Sequence, residues 1–313
     1  MNFFQEMFYY DVMNSESDFA KSLVEIIREE GYSVANDNER SKEMYGEFVK
    51  EFPHLDERFR NARWLTTEYP FFEDEIEIDG NVYRAKDLIY EFLQKQGYNM
   101  DNLVKEFIRR IASYDFEQES HKVSRDLKAY DFIIEDVFVA EDGLITVKTK
   151  VGESFRFYQA DKYFSEDTDL GKYVMSNHGK NNCHDYTESL QSYLPDAVSV
   201  TAQLAREFDG NYYMHSYVEL NENQVLDLNF NMVMNKDDFE KLMKPKKKCF
   251  ICKNKEIKQK IEMLDEMILL DEKGESFNQI SYYNMLKLAA FEILKERDPQ
   301  LVSLYEEKLF QPS

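Results

Sequence analysis

Two consecutive stretches, NYYMHSYVEL (211–220) and QVLDLNFNMVM (224–234), alternate in polarity with a period of two and are separated only by the triplet NEN. That period is the mark of a half-buried strand, and an Asn-rich triplet between two such strands is a hairpin connection. In the first stretch Tyr212, Met214, Val218 and Leu220 share a face interrupted only by Ser216, while Tyr213, His215, Tyr217 and Glu219 share the other. In the second, Leu226, Leu228, Phe230, Met232 and Met234 form the apolar face. Asp227, Asn229 and Asn231 lie opposite, flanked by Val225 and Val233. A slip of one residue would turn an apolar face to water, so paired residue numbers must sum to an even value. A three-residue loop, Asn221 to Asn223, meets this condition and pairs His215 with Asn229 and Tyr217 with Asp227. Asp227 then stands diagonal to His215, roughly 5.5–8 Å away. A five-residue loop would set it directly opposite. In either register an acid or an amide lies beside the imidazole.

Around this hairpin the chain is organised in blocks. SDFAKSLVEIIREEGY, SKEMYGEFVKEF (before Pro53), AKDLIYEFLQKQGY and NMDNLVKEFIRRIASYDF (a pair meeting at Gly97) carry apolar residues at helical spacing with cap and stop residues. From about residue 130, YDFIIEDVFVAEDGLITVKTKVGESFRFYQAD reads as a β-meander with turns at AEDG and VGES. Residues 161–182 read as a polar loop, and a helix follows from about 183 to 193, ended by Leu194 before Pro195. AVSVTAQLAREF adds a strand, and the tail from KDDFEKLM to PQLVSLYEEKLF is helical. Segregated helices and strands predict an α+β fold. The best single cut separates a mainly helical region, 1–128, from an α+β domain with a helical tail, 129–313.

The chain of 313 residues is 43% hydrophobic, enough for a substantial core, and carries 61 acidic against 39 basic residues for a net charge of -22. Such a field repels phosphate backbones and anionic membrane surfaces, so neither nucleic acid nor membrane is an expected partner. The start of the chain has no basic segment before an apolar one, and no apolar run reaches membrane-spanning length. The expected location is the cytosol, with three reduced cysteines rather than a disulfide framework.

One of those cysteines stands at a chemically significant place. In NNCHDYTESL, Asn182 is a suitable N-cap, with Asp185 three residues on, which makes Cys183 the first helical residue. There the helix dipole and unpaired amides favour a thiolate. The base must come from elsewhere, and His215 is the candidate, with Asp227 as its orienter and Asn229 as the alternative. His184, turned about 100° from Cys183 on the helix, is a poor base. His184 and His178 read as surface residues, His178 with a place open to it in the cleft.

This order resembles the transglutaminase-like branch of the papain-like cysteine enzymes: a cysteine opening a helix (NNCHDYTESL), a histidine in a strand (NYYMHSYVEL) and an aspartate in the next (QVLDLNF), twelve residues later. The match covers about 178–235. The residues after His215 (Ser-Tyr) and after Asp227 (Leu-Asn) depart from the family's usual ones. The resemblance implies a helix packed on an antiparallel sheet and acyl transfer through a Cys183 thioester, as a protease, amidase or transamidase. It implies a protein or peptide substrate and no cofactor. An oxyanion donor is expected from the backbone N–H of Cys183, with Asn177 and Gln159 as side-chain candidates.

The competing reading is a catalytically inert binding module on the same fold, its helical N-terminal region docking a protein partner. A third uses Cys249 and Cys252 of KPKKKCFICKNK, but zinc would need two further ligands and His215 is the last histidine in the chain. A solvated basic segment around a short apolar strand is the expected form; KPKKK also resembles a nuclear-import signal. FFEDEIEIDG lacks the ligand spacing of a calcium loop and reads as a charged edge strand. Trp64 reads as core or cleft lining.

Overall fold

The structure is a computed structural model, and it describes residues 16–31, 46–52, 75–96, 101–179, 182–205, 212–271 and 284–310. The expectations for Trp64, for the stretch before residue 16, and for the helix boundaries at Pro53 and Gly97 lie outside the described residues.

The elements are, in chain order, α1 (Asp18–Ile26, continued by a π-turn Ile27–Gly31), β1 (Glu75–Ile78), β2 (Asn81–Arg84), α2 (Ala85–Lys95), α3 (Asp101–Ala112), α4 (Ser120–Ala129), β3 (Ile134–Val139), β4 (Ile145–Thr149), β5 (Ser154–Gln159), α5 (Ala160–Tyr163), α6 (Asp169–Asn177), α7 (Cys183–Leu190), β6 (Val198–Ala205), β7 (Tyr212–Glu219), β8 (Gln224–Asp227), β9 (Met232–Asn235), α8 (Lys236–Met243), β10 (Lys247–Lys253), α9 (Asn254–Leu269), α10 (Asn284–Arg297) and α11 (Pro299–Phe310). The strand pairings described are antiparallel. The fold is α+β, as expected from the segregated elements. No helix among the described residues is long and apolar enough to cross a membrane.

The chain forms two compact units that interleave in sequence. One comprises residues 35–158 and 206–210. Its helices bury Phe92, Phe107, Ile108 and Ile111, and its strands form the meander β3-β4-β5 with turns at the two predicted places. The acid-rich stretch forms β1, paired with β2.

The other unit comprises 1–34, 159–205 and 211–313. Its strands run in the order β10-β6-β7-β8-β9. Its apolar core is built by α1, α9, α10, α11 and β10, with Phe19, Leu23, Phe250, Ile257, Leu264 and Phe291 among the buried side chains. Ser17 caps α1 by accepting from the Ala20 N–H at 3.2 Å. α10 is buried almost all round, from Asn284 to Leu294, and so shows no clean apolar stripe in sequence. Its one buried cation, Lys287, is paired with Asp265 of α9, which offsets the cost of desolvating an ammonium group.

Two segments differ from the reading of the sequence. Residues 161–182 are not simply a loop: they hold α6 and the end of α5. The Thr168 hydroxyl accepts from the Gly171 N–H at 3.0 Å and starts α6, a cap that the polar composition concealed. The stretch 224–234 is not one strand. It breaks after Asp227, turns through Leu228–Asn231 and returns as β9, which pairs with β8 (Asp227 against Met232). The break has a local cause. Asp227 Oδ1 accepts from the Phe230 N–H at 3.2 Å, and Asn231 takes a left-handed φ of 53°, a conformation Asn tolerates better than most residues.

Gly171 allows a close approach at the start of α6. A methyl group there would overlap the backbone oxygen of Ser165, so the helix would have to move. Gly171→Ala is expected to destabilise the protein by about 1–3 kcal/mol, despite the better helix propensity of alanine. Urea denaturation of the two proteins checks this; equal midpoints would contradict it.

Candidate functional site

The hairpin register is the predicted one. Val218 pairs with Leu226 and Glu219 with Val225, and the Leu220 N–H bonds the Gln224 carbonyl at 2.8 Å across the three-residue loop. Asp227 therefore falls diagonal to His215. Its Oδ2 lies 2.6 Å from His215 Nε2, and both side chains are almost fully buried. Asn229, the alternative orienter, sits in the turn after β8 rather than opposite His215, because the strand has ended. Tyr213, Tyr217 and Phe230 surround the imidazole, with ring centroids 6.2, 6.4 and 5.6 Å away. Ala202 of β6 pairs with His215 and leaves it room.

Cys183 opens α7 as the sequence implies, and α7 packs against β7. Asn182 occupies the cap position, but its side chain makes no capping bond. As a residue Cys183 is half-buried. Burial works against its ionisation. The imidazoles of His184 and His215 outweigh that, through charge and hydrogen bonds, and hold the thiol well below its ordinary range. Burial likewise opposes charge on His215. The carboxylate of Asp227 and the Cys183 sulfur overcome it and push the imidazole up to about 10. Thiolate and imidazolium are thus the favoured forms of the pair.

His184 corrects the expectation of a surface residue. It is buried, and its Nδ1 lies 2.8 Å from Ser216 Oγ, which in turn lies 2.7 Å from Thr201 Oγ1. Ser216 and Thr201 face each other across β7 and β6. Sequence reading missed both hydroxyls. The available signal was Ser216 itself, the one polar break in an apolar strand face. His178 is partly buried at the end of α6, its Nδ1 3.3 Å from the Val174 carbonyl.

Of the two amides considered as oxyanion donors, Asn177 turns its Nδ2 back to the Tyr173 carbonyl at 2.8 Å. Gln159 is buried where β5 passes into α5.

The remaining cysteines lie in β10, in the sheet. Both are buried, Cys249 at a bulge, and burial pushes the Cys249 thiol up to about 11 and raises that of Cys252. The basic run pairs with this protein's own acids: Lys247 with Glu296, and Lys248 with Glu219 and Glu240. Among the described residues no group of three His, Cys, Asp or Glu is arranged to hold a metal ion.

The paired shifts give a pH signature. His215, raised from 6.5 to about 10, contributes stability that is fully present below 6.5 and lost as pH rises through about 10. Cys183, depressed from 9.0, contributes stability present above 9.0 and lost as pH falls through its folded value. Between 6.5 and 9.0 the two shifts therefore act in opposite senses on stability. Cys183→Ser removes the thiol's share and leaves the part of the histidine's share that Asp227 supplies. Stability of the variant relative to wild type should then fall across this window, by at most about 1.4 kcal/mol per pH unit. Urea midpoints at several pH values check this; a pH-independent difference would contradict it.

No family model matches the chain, and no curated protein or solved structure matches it.

Proposed function

We propose that the protein is a cysteine-dependent acyl-transfer enzyme with a transglutaminase-like, papain-related core. In this reading Cys183 is the nucleophile, His215 the general acid and base, and Asp227 the orienter. The observation that carries it is the buried 2.6 Å contact between His215 and Asp227, next to a thiol that opens a helix and whose ionisation the His215 imidazole favours. The three groups come in that order from a helix start, a strand and the next strand. Since Nε2 of His215 is taken by Asp227, Nδ1 is the nitrogen left for the sulfur.

The chemistry follows from the favoured charge states. The thiolate attacks the carbonyl carbon of a peptide or side-chain amide, and negative charge moves to the carbonyl oxygen. The N–H of Cys183, at the start of α7, is the backbone donor proposed for that oxygen. As the C–N bond breaks, the departing amine takes the proton of His215, leaving an acyl-thioester on Cys183. Water or an amine then releases the acyl group. A protein or peptide is the substrate, and the three free cysteines suit the cytosol.

Site-resolved alkylation with iodoacetamide tests the nucleophile. Cys183 is expected to react at pH 6, where Cys249 and Cys252 of the same chain stay unmodified. If Cys183 reacts only near pH 8.5, like an ordinary thiol, the enzyme reading fails and the inert binding module replaces it.

A further inference from the structure

The carboxylate that faces His215 is held at both of its oxygens. Asp227 Oδ2 lies 2.6 Å from the imidazole, and Oδ1 accepts from the Phe230 N–H at 3.2 Å. The ring and the turn Leu228–Asn231 thus share one carboxylate, and a turn that moves takes the carboxylate with it. That turn is anchored to a segment 70 residues earlier in the chain. The Asn231 carbonyl accepts from the Ala160 N–H at 3.0 Å, Asn231 Oδ1 accepts from the Asp161 N–H at 3.1 Å, and Asn231 Nδ2 donates to Asp161 Oδ1 at 2.9 Å. Ala160 and Asp161 open α5, and the first amides of a helix have no partner within it. Gln159, at the cap position, supplies no capping bond; Asn231 caps α5 from another part of the chain. The Leu228 carbonyl accepts from the Gly179 N–H at 3.0 Å, in the segment that leads to Cys183. All of these residues belong to one compact unit.

Backbone strain marks the same residue. Among the described residues three that are not glycine have a left-handed φ: Asp79, Asn231 and Lys244. Asp79 lies in the turn between β1 and β2 and Lys244 at the end of α8, both exposed, whereas Asn231 is buried. A buried residue keeps a sparsely populated conformation only where its surroundings over-determine it, and the three bonds to α5 do so here.

We propose that Asn231 is a positioning residue for the triad: by clasping the start of α5 it fixes the turn that follows Asp227, and so holds the carboxylate against His215. This rests on Cys183 being the nucleophile and on Asp227 orienting its base. The route from Asn231 to the sulfur is short. The clasp sets the Phe230 N–H, the Phe230 N–H sets one oxygen of Asp227, and the other oxygen meets the ring. A carboxylate that drifts from the ring supports its positive charge less well, and a less charged imidazole supports the thiolate less well. Loss of the clasp should therefore reach the thiol even though Asn231 touches neither the thiol nor the substrate in this scheme.

Iodoacetamide alkylation of Cys183 in the full chain, read site by site from pH 4 to 9, gives the midpoint of thiol ionisation. Asn231→Gly keeps the left-handed φ and the net charge but loses the side-chain bonds. Its midpoint is expected to rise by at least about half a pH unit, roughly a threefold loss of thiolate below the midpoint. A swap separates position from charge. Asn231→Asp sets two carboxylates against each other, and its midpoint should rise at least as far. Adding Asp161→Asn returns an amide to the pair from the other side and restores the net charge of the wild type. The midpoint of this double variant is expected within about 0.2 of a pH unit of wild type. A folded Asn231→Gly with the wild-type midpoint overturns the proposal. So does a raised midpoint that persists in the double variant, since a displaced charge and not the lost clasp would then be its cause. Circular dichroism shows which variants are folded, and where a single variant is not, the double variant decides. A wild-type midpoint near 8.5, that of an ordinary thiol, would overturn the enzyme reading itself, a distinct result.

Discussion

His215→Gln should slow iodoacetamide alkylation of Cys183 at pH 6 by tenfold or more, while leaving the fold intact. The glutamine amide keeps a donor toward Asp227, so the buried carboxylate is not stranded. The charge on the ring is lost, and with it part of what holds the thiol ionised. A thiol with an ordinary value near 8.5 is only about 0.3% thiolate at pH 6. Full loss of activation would therefore cost about 300-fold in reactive species. Two effects reduce this. A less acidic thiol is intrinsically the better nucleophile, and His184 still faces the sulfur. The expected loss is thus on the order of tenfold to a hundredfold at pH 6 and shrinks toward pH 9. Cys249 and Cys252 are controls within the same chain, since burial holds both thiols up. A variant with an unchanged profile at Cys183 would remove His215 from the mechanism and leave His184 as the group that activates the thiol.

What sequence could and could not disclose divides along physical lines. The hairpin register was legible because both of its faces had to be buried at once, and parity with a three-residue loop admits few pairings. The helix start at Cys183 was legible from local residues. The break at Asp227 was not. Alternation continues through Leu228, Phe230 and Met232, so the period alone extends the strand. Only the turn-forming acceptance of the Phe230 N–H by Asp227 and the left-handed Asn231 end it. His184 was misplaced for a related reason. Helical geometry does turn it away from Cys183, but a single-helix argument omits what packs alongside, and the hydroxyl of Ser216 on another element draws the ring inward. The helix α6 escaped notice because its two buried residues, Gly171 and Val174, give no apolar stripe in a polar stretch. α10 shows the opposite difficulty: it is helical by propensity, but which elements cover its several apolar sides is a tertiary matter.

Asp227→Ala is expected to be the most damaging single substitution at the site. Asp227 is fully buried and makes two bonds, to His215 Nε2 and to the Phe230 N–H. Its removal deprives a buried imidazole of its counter-charge and a buried amide of its acceptor, and it loosens the turn that ends β8. Removing one member of a buried ion pair costs about 3–5 kcal/mol. With urea slopes of about 1–3 kcal/mol per molar, the midpoint should fall by at least about 1 M. Asp227→Asn keeps an oxygen for the Phe230 amide and a polar atom for the ring, so its loss should approach that of an ordinary hydrogen bond, about 1 kcal/mol. The two variants differ in a second way that stability alone would not show. In Asp227→Asn the imidazole loses the carboxylate that pushes it up, so Cys183 alkylation at pH 6 should slow although the protein remains folded. Equal midpoints for Asp227→Ala and wild type would mean that the pair bears no structural burden. A folded Asp227→Asn with the wild-type alkylation profile would mean that the carboxylate orients nothing. The charge on Asp227 is expected to matter for the thiol, and its hydrogen bonds for the fold.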